Sequence, residues 1–227
     1  MFAVPPLELL LGKVVSAPFD ENTYIAHLPG RSDCLIFDPG FDTESIFDYV
    51  DRSSLAPVAL ICTHGHADHI GGNAAMKQRW PECPLVIGQG DAPKLTSAEL
   101  NLSAAFGVPI VSPPADRLLK EGEIFSAAGF ELEVLEAPGH SIGHVVFVCR
   151  QVEPWRVFGG DVLFAGSIGR TDFPDGSYDE LREAIHTKLF TLPDDTIVLP
   201  GHGPSTTVGR EKRSNPFVGA PAGFVLK

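Results

Sequence analysis

Thr63-His64-Gly65-His66-Ala67-Asp68-His69 follows directly on an aliphatic run that ends at Cys62, and it gathers four metal-capable side chains within six residues. In an extended segment residues i and i+2 face the same side, so His64 and His66 can reach one ion together. Asp68 and His69 come as the chain turns into a helix, where they can point to a second ion beside the first. Gly65 permits a tight loop, and Gly71-Gly72 allows close packing of the new helix. An H-x-H-x-D-H pattern arises by chance in roughly one chain in a thousand of this composition, so the motif is specific by itself. Imidazole and carboxylate ligands suit zinc, and iron or manganese also accept them.

Three later loops offer matching groups at the ends of apolar runs. Pro138-Gly139-His140-Ser141 supplies His140, Gly159-Gly160-Asp161 supplies Asp161, and Pro200-Gly201-His202-Gly203 supplies His202. A lone histidine after a strand is more often an ordinary loop or core residue than a ligand. Three such loops beside a complete H-x-H-x-D-H reverse those odds. His27 and His186 read as ordinary strand-end and helix-face residues. His144 stands close enough to His140 to support it from behind.

Outward from these loops, short β-branched or aliphatic runs read as strands: Leu9–Val15, Thr23–Leu28, Cys34–Phe37, Val58–Cys62, Leu85–Ile87, Phe130–Leu135, Val145–Cys149, Val157–Phe158 and Ile197–Leu199. Helical spacing marks Thr43–Val50, with Thr43 as N-cap, and also His69–Trp80, Thr96–Phe106 and Tyr178–Phe190. Strand runs in two batches with helices between them give an α/β class, either a layered sandwich or a doubly wound sheet. The expected organisation is one domain over residues 1–214. Residues 215–227, rich in Pro, Gly and Ala, read as an extended C-terminal tail.

The 227 residues carry a formal charge of −12, which disfavours a phosphate backbone, so no nucleic acid is expected as partner. The N-terminus has no basic segment ahead of an apolar stretch, and no run is long enough to span a bilayer, so no membrane is expected and the cytoplasm is the expected location. Cys34, Cys62, Cys83 and Cys149 are widely spaced with no C-x-x-C pair, and read as buried thiols in a reducing compartment. No pattern specifies an oligomeric state.

Taken in order, Asp38-Pro39-Gly40, the motif from Thr63, His140, Asp161 and His202 resemble the metallo-β-lactamase superfamily over nearly the whole chain. The resemblance implies an αβ/βα sandwich with the metal site at one edge, between the two sheets. It implies one metal on His64, His66 and His140, a second on Asp68, His69 and His202, and Asp161 bridging them with a hydroxide. Asp68 and Asp161 are then the catalytic carboxylates, two divalent ions (zinc first, iron or manganese as substitutes) are the cofactors, and Asp38 steadies the metal loop.

The stretch Gly160–Pro174, with Gly169-Arg170-Thr171-Asp172-Phe173 inside it, and the stretch Gly201–Glu211, running on to Asn215-Pro216-Phe217, resemble the short branch of the glyoxalase II group, the hydroxyacylglutathione hydrolases. That implies cleavage of a small-molecule thioester such as S-lactoylglutathione. The longer enzymes continue after Asn215-Pro216-Phe217 into basic residues that grip glutathione, whereas this chain continues Val218-Gly219-Ala220-Pro221-Ala222. Arg170 stands where they use a lysine, and is the candidate contact for an anionic substrate group; an ion pair with Asp172 or Asp175 is the competing reading. Gly169–Phe173 also resembles the persulfide dioxygenases of the same fold, which would place a single iron on His66, His140 and Asp161. An RNA-processing nuclease is opposed by the charge. A metal-stabilised binding protein without turnover is the reading from another class.

Overall fold

The computed structural model describes residues 6–226. Residues 1–5 of the segment read for a leader, and Lys227 of the expected tail, lie outside the described residues. One six-stranded sheet has the order β1 (Leu10–Ser16), β2 (Glu21–His27), β3 (Asp33–Phe37), β4 (Ala56–Cys62), β5 (Leu85–Gly88) and β6 (Arg117–Leu119). The second contains β7 (Ile124–Ala127), β8 (Phe130–Glu136), β9 (Val145–Cys149) and β10 (Arg156–Gly160). It is completed, past the small hairpin β11 (Leu163–Phe164) and β12 (Ser167–Ile168), by β13 (Ile197–Pro200) and β14 (Thr206–Thr207), in the order β14-β13-β10-β9-β8-β7.

The strands read as nearly unbroken apolar runs because both faces of each sheet are covered. Along β3, Leu35 and Phe37 point into the core between the sheets, while Cys34 and Ile36 point outward. Along β9, Phe147 faces inward and Val146 and Val148 outward. Phe37 stacks on Phe158 across the inner core at 3.7 Å between ring centroids. Outside the first sheet lie α1 (Thr43–Arg52), α2 (Ala67–Ile70), α3 (Asn73–Arg79) and α4 (Ala92–Leu95); outside the second lie α5 (Tyr178–Thr187) and α6 (Val208–Ser214). The result is the layered α/β sandwich of the metallo-β-lactamase fold rather than a doubly wound sheet.

Topology delivers the site to one edge. The pair β10/β13 is parallel, and β8 and β10 both run antiparallel to β9, so β8, β10 and β13 all end at the same edge. His140, Asp161 and His202 follow those three ends, and the His64 loop follows β4. The two sheets are joined there by the backbone bonds Val145 N to Thr63 O (2.9 Å) and Asn22 N to Gly201 O (2.7 Å).

Three elements differ from the sequence reading. The N-cap of α1 is Asp42, whose carboxylate accepts from Ser45 N, so Thr43 is the first helical residue. The helix expected over His69–Trp80 is broken at Gly71-Gly72, where Gly72 N donates to Pro39 O (2.8 Å) and a Cβ would collide with the Pro39-Gly40 backbone. Thr96–Phe106 forms only a terminal 3-10 turn, Ser103–Phe106. Leu102 sits at φ 70°, and the buried Asn101 side chain bonds Lys94 O and Ile110 O, which holds the chain in a loop.

The expected extended tail is packed instead as far as Phe224, while Val225 and Leu226 are exposed. Val218 is fully buried, and Phe224 lies on the cluster that contains Leu189 and Val208. Asn215 anchors it: its amide donates to Ser167 O and Glu211 Oε2, both at 2.9 Å, and its oxygen accepts from Phe217 N and Val218 N. Each such bond contributes about 1 kcal/mol net. Asn215→Ala is therefore expected to lower the stability of the metal-free protein by about 2–4 kcal/mol in urea unfolding, where a solvated tail would give less than about 0.5 kcal/mol.

Candidate metal centre

His64, His66, Asp68, His69, His140, Asp161 and His202 all meet at this edge. Three groups have ligand atoms within 4.8 Å of one another: His64, His66 and His140; His64, His69 and Asp161; and Asp68, His69 and His202. In the first, His66 Nδ1 lies 3.1 Å from His64 Nε2 and 2.9 Å from His140 Nε2.

Four of the imidazoles are fixed in one tautomer by what their outer nitrogen touches. His140 Nδ1 donates to Arg170 O at 2.8 Å, and His202 Nδ1 donates to Phe19 O at 3.0 Å. His69 Nδ1 donates to Asp38 Oδ2 at 3.1 Å. Thr63 Oγ1 spends its proton on Asp38 Oδ2 (2.7 Å), so it must accept from His64 Nδ1 at 3.1 Å. Each Nε2 is left facing the centre, the arrangement metal-binding histidines adopt. Asp38 thus holds Thr63 and His69 at once, and also accepts from Thr63 N at 2.7 Å. His144 sits behind the centre and accepts from Asp161 N at 3.0 Å.

A cation fits the three-histidine group. One proton on His66 Nδ1 could serve only one of its two nitrogen neighbours, whereas a cation among them serves all three. Burial, reinforced by the neighbouring imidazoles, pushes the pKa of His64 and of His66 well below the ordinary value. Burial also lowers that of His140. The charged imidazolium form is thereby disfavoured at all three.

The other half carries charge. Asp161 Oδ2 lies 3.5 Å from His140 Nε2 and 3.4 Å from His202 Nε2, while Oδ1 stands 3.4 Å from His69 Nε2 without making a hydrogen bond. Asp68 Oδ2 lies 3.3 Å from His202 Nε2 and 3.8 Å from His69 Nε2. Although burial opposes it, these carboxylates raise His69 well above the usual imidazole value and His202 to about 10. In return His69 holds Asp68 and Asp161 below the carboxylate norm against the same burial. His66 Nε2, His69 Nε2 and Asp161 Oδ1 are buried with no hydrogen-bond partner.

Arg170 lines the cleft above the centre, together with Phe19, Leu102, Phe106 and Phe173. Its guanidinium makes two 2.9 Å bonds to Asp172 and lies over the Phe173 ring at 4.6 Å. Asp175 pairs instead with the buried Lys94 at 2.6 Å. Sequence reasoning missed the grip on the His202 loop: Asn22 Nδ2 donates to Pro200 O and Gly203 O, both at 2.9 Å, and Tyr24 OH to Pro200 O at 3.0 Å. It also missed the carbonyls of Phe19 and Arg170, since a backbone acceptor leaves no mark on residue type. The four cysteines are buried and free, none belongs to a ligand group, and their thiols are pushed up by burial. Among the described residues no helix is long and apolar enough to cross a membrane.

Residues 17–202 match the metallo-beta-lactamase superfamily. The probable metallo-hydrolase YqgX of Bacillus subtilis is 40% identical over 88% of this chain and 93% of its own length. Hydroxyacylglutathione hydrolase GloC of Haemophilus influenzae is 41% identical over 81% of this chain and 86% of its own. Among solved structures, BLEG-1 B3 metallo-beta-lactamase aligns with TM-score 0.87 at 36% identity, covering 92% of this chain and 99% of that one. TTHA1623 in a di-iron-bound form aligns at 0.78 with 36% identity (91% and 99%). ETHE1 from Myxococcus xanthus aligns at 0.74 with 25% identity (93% and 85%).

The two halves differ in proton content, which gives a pH test. Their raised pKa values favour the protonated forms of His69 and His202, so a metal bound there would displace protons. The three-histidine group, with lowered values, has none to release. Metal affinity at the Asp68-His69-His202 group should therefore fall by up to about 100-fold per unit as pH drops below the raised values, while the other group stays nearly flat around neutrality. Calorimetric titration in buffers of different ionisation enthalpy measures this as about two protons released per equivalent at one group only.

Proposed function

Since the chain belongs to the metallo-beta-lactamase superfamily of metallo-hydrolases, we propose that it is a dinuclear metal-dependent hydrolase that cleaves a small-molecule thioester, an S-(2-hydroxyacyl)glutathione such as S-lactoylglutathione. The observation that carries this reading is the place of Asp161 Oδ2, within 3.5 Å of a nitrogen from each ligand group. One carboxylate oxygen between two ligand groups is what two adjacent cations need in order to share a ligand. The relation to GloC of Haemophilus influenzae supports the thioester, and the di-iron-bound TTHA1623 supports two ions in such a frame.

In this reading His64, His66 and His140 would hold one ion, Asp68, His69 and His202 would hold the other, and Asp161 would be shared between them. Zinc is our first assignment from the donor set, with iron or manganese as alternatives. Divalent ions held there would supply an ionised water at neutral pH and polarise the acyl carbonyl. The protein's own share is positioning. Asp38, Thr63 and the carbonyls of Arg170 and Phe19 hold the imidazoles in the required tautomers, and Asp68 is placed to orient the attacking water. The departing thiol ionises near pH 8.5, so it can leave as thiolate without a protein acid.

The cleft measures about 230 Å³. That is less than the ~300–1,000 Å³ of sites that enclose a drug-sized ligand. The acyl group and thioester enter it, and the carrier thiol extends along the surface past Arg170. Asp172 takes two of the five guanidinium donors, which leaves three for a carrier carboxylate.

A second reading, a mononuclear iron persulfide dioxygenase, is supported by the likeness to ETHE1 and by the His66-His140-Asp161 face. The deciding experiment is metal analysis of the purified protein with two assays: thiol release from S-lactoylglutathione, and oxygen uptake on glutathione persulfide. The hydrolase reading expects two metals and thiol release; one iron with oxygen uptake overturns it. Asp161→Ala should lower thiol release by at least about 100-fold and reduce bound metal with it. Arg170→Ala should raise KM about 2–5-fold at unchanged kcat, the worth of an exposed ion pair.

A further inference from the structure

The 3-10 turn Gln89–Asp91 after β5 places the fully buried Asp91 carboxylate between two of the ligand-bearing loops. Gly65 N donates to Oδ2 at 2.8 Å, and Gly143 N to Oδ1 at 2.8 Å. Ser141 Oγ reaches both oxygens, at 2.7 and 2.5 Å. Gly65 is the residue between His64 and His66, and Ser141 follows His140. The backbones meet with no slack: a Cβ on Gly90 would stand 2.7 Å from Gly143 Cα, and one on Gly143 would collide with Asp91 N.

The three imidazoles come from two loops, so the separation of those loops sets their spacing. His66 Nδ1 sits 2.9 Å from His140 Nε2 across the gap between the two loops. That one contact between ring nitrogens does not by itself fix where the loop backbones lie. We propose that Asp91 is a positioning residue for the three-histidine group, fixing the separation of the His64-His66 loop from the His140 loop before any metal arrives. Three donors from two loops converge on one carboxylate, so a shift of either loop breaks at least one charge-assisted bond. The proposal rests on the metal-centre reading above, but it is tested by metal affinity and not by turnover.

Asp91→Asn keeps the shape and turns one accepting oxygen into an amide that faces a donor. Zinc affinity is measured by chelator competition in two backgrounds: His202→Ala, which leaves the three-histidine group complete, and His140→Ala, which leaves the Asp68-His69-His202 group. The expected result is about a 10–100-fold loss in the first background, the usual effect of losing an outer partner of a ligand, and less than about threefold in the second. Equal losses in both mean a merely structural role and overturn the proposal, as does no loss in either. Should Asp91→Asn not fold, Ser141→Ala removes one donor and leaves the two backbone donors in place. A loss confined to the first background then supports the proposal, and an unchanged affinity there overturns it. A parent protein that binds no zinc sinks the metal centre itself, a failure distinct from either.

Discussion

Five histidine rings crowd one sheet edge, and their inward nitrogens cannot all satisfy one another. That is the constraint around which the rest of the molecule is arranged. His66 Nδ1 has a nitrogen neighbour on each side, at 3.1 and 2.9 Å, and both neighbours have their outer nitrogen committed elsewhere. A single proton on that nitrogen can bridge to only one of them, so one pair of buried nitrogens is left without a hydrogen bond between them. The fold must therefore be rigid enough to hold the rings in place regardless.

It achieves this by giving four of the five rings, all but His66, an outer anchor on a different element. The anchors are Thr63 at the end of β4, Asp38 after β3, the Phe19 carbonyl between β1 and β2, and the Arg170 carbonyl beyond β12. Asp38 adopts φ 46°, a conformation rare for a residue with a side chain, and this turn puts its carboxylate onto Thr63 and His69 together. Packing supplies the stiffness. The sheets are sealed by Phe37, Phe147 and Phe158, with Phe37 in contact with both of the others. The strand ends on which the loops depend are thereby kept in register across two sheets.

The ligand loops were legible in the sequence because each follows an apolar run and carries a glycine beside its ligand, and because four of the chelating groups fall within the six residues from His64 to His69. The strands were legible for the same reason: sheets covered on both faces leave unbroken aliphatic runs such as Val145–Cys149. What was hidden is tertiary. Gly71 and Gly72 read as glycines that let the new helix pack closely, and they do, Gly72 against the Pro39-Gly40 backbone and Gly71 against the Phe41 ring, but the break they make in the helix did not show. Thr96–Phe106 has a helical pattern, but the side chain of Asn101 bonds carbonyls on either side of it and wins over propensity. The C-terminal stretch has the composition of a tail, and one buried asparagine with four hydrogen bonds makes it part of the domain.

The two halves of the centre differ in how they carry charge. In the three-histidine half burial disfavours imidazolium, and two of its rings are held from outside by Thr63 and the Arg170 carbonyl. The half containing Asp68, His69 and His202 neutralises itself, with imidazolium charges standing beside carboxylates. A cation in the first half would serve all three nitrogens at once, and one in the second would displace protons that balance the carboxylates. Asp161 touches both, with one oxygen near His140 and His202 and the other near His69. A cation in the first half would therefore draw on the same carboxylate that favours protons on the second, which links the two halves through charge.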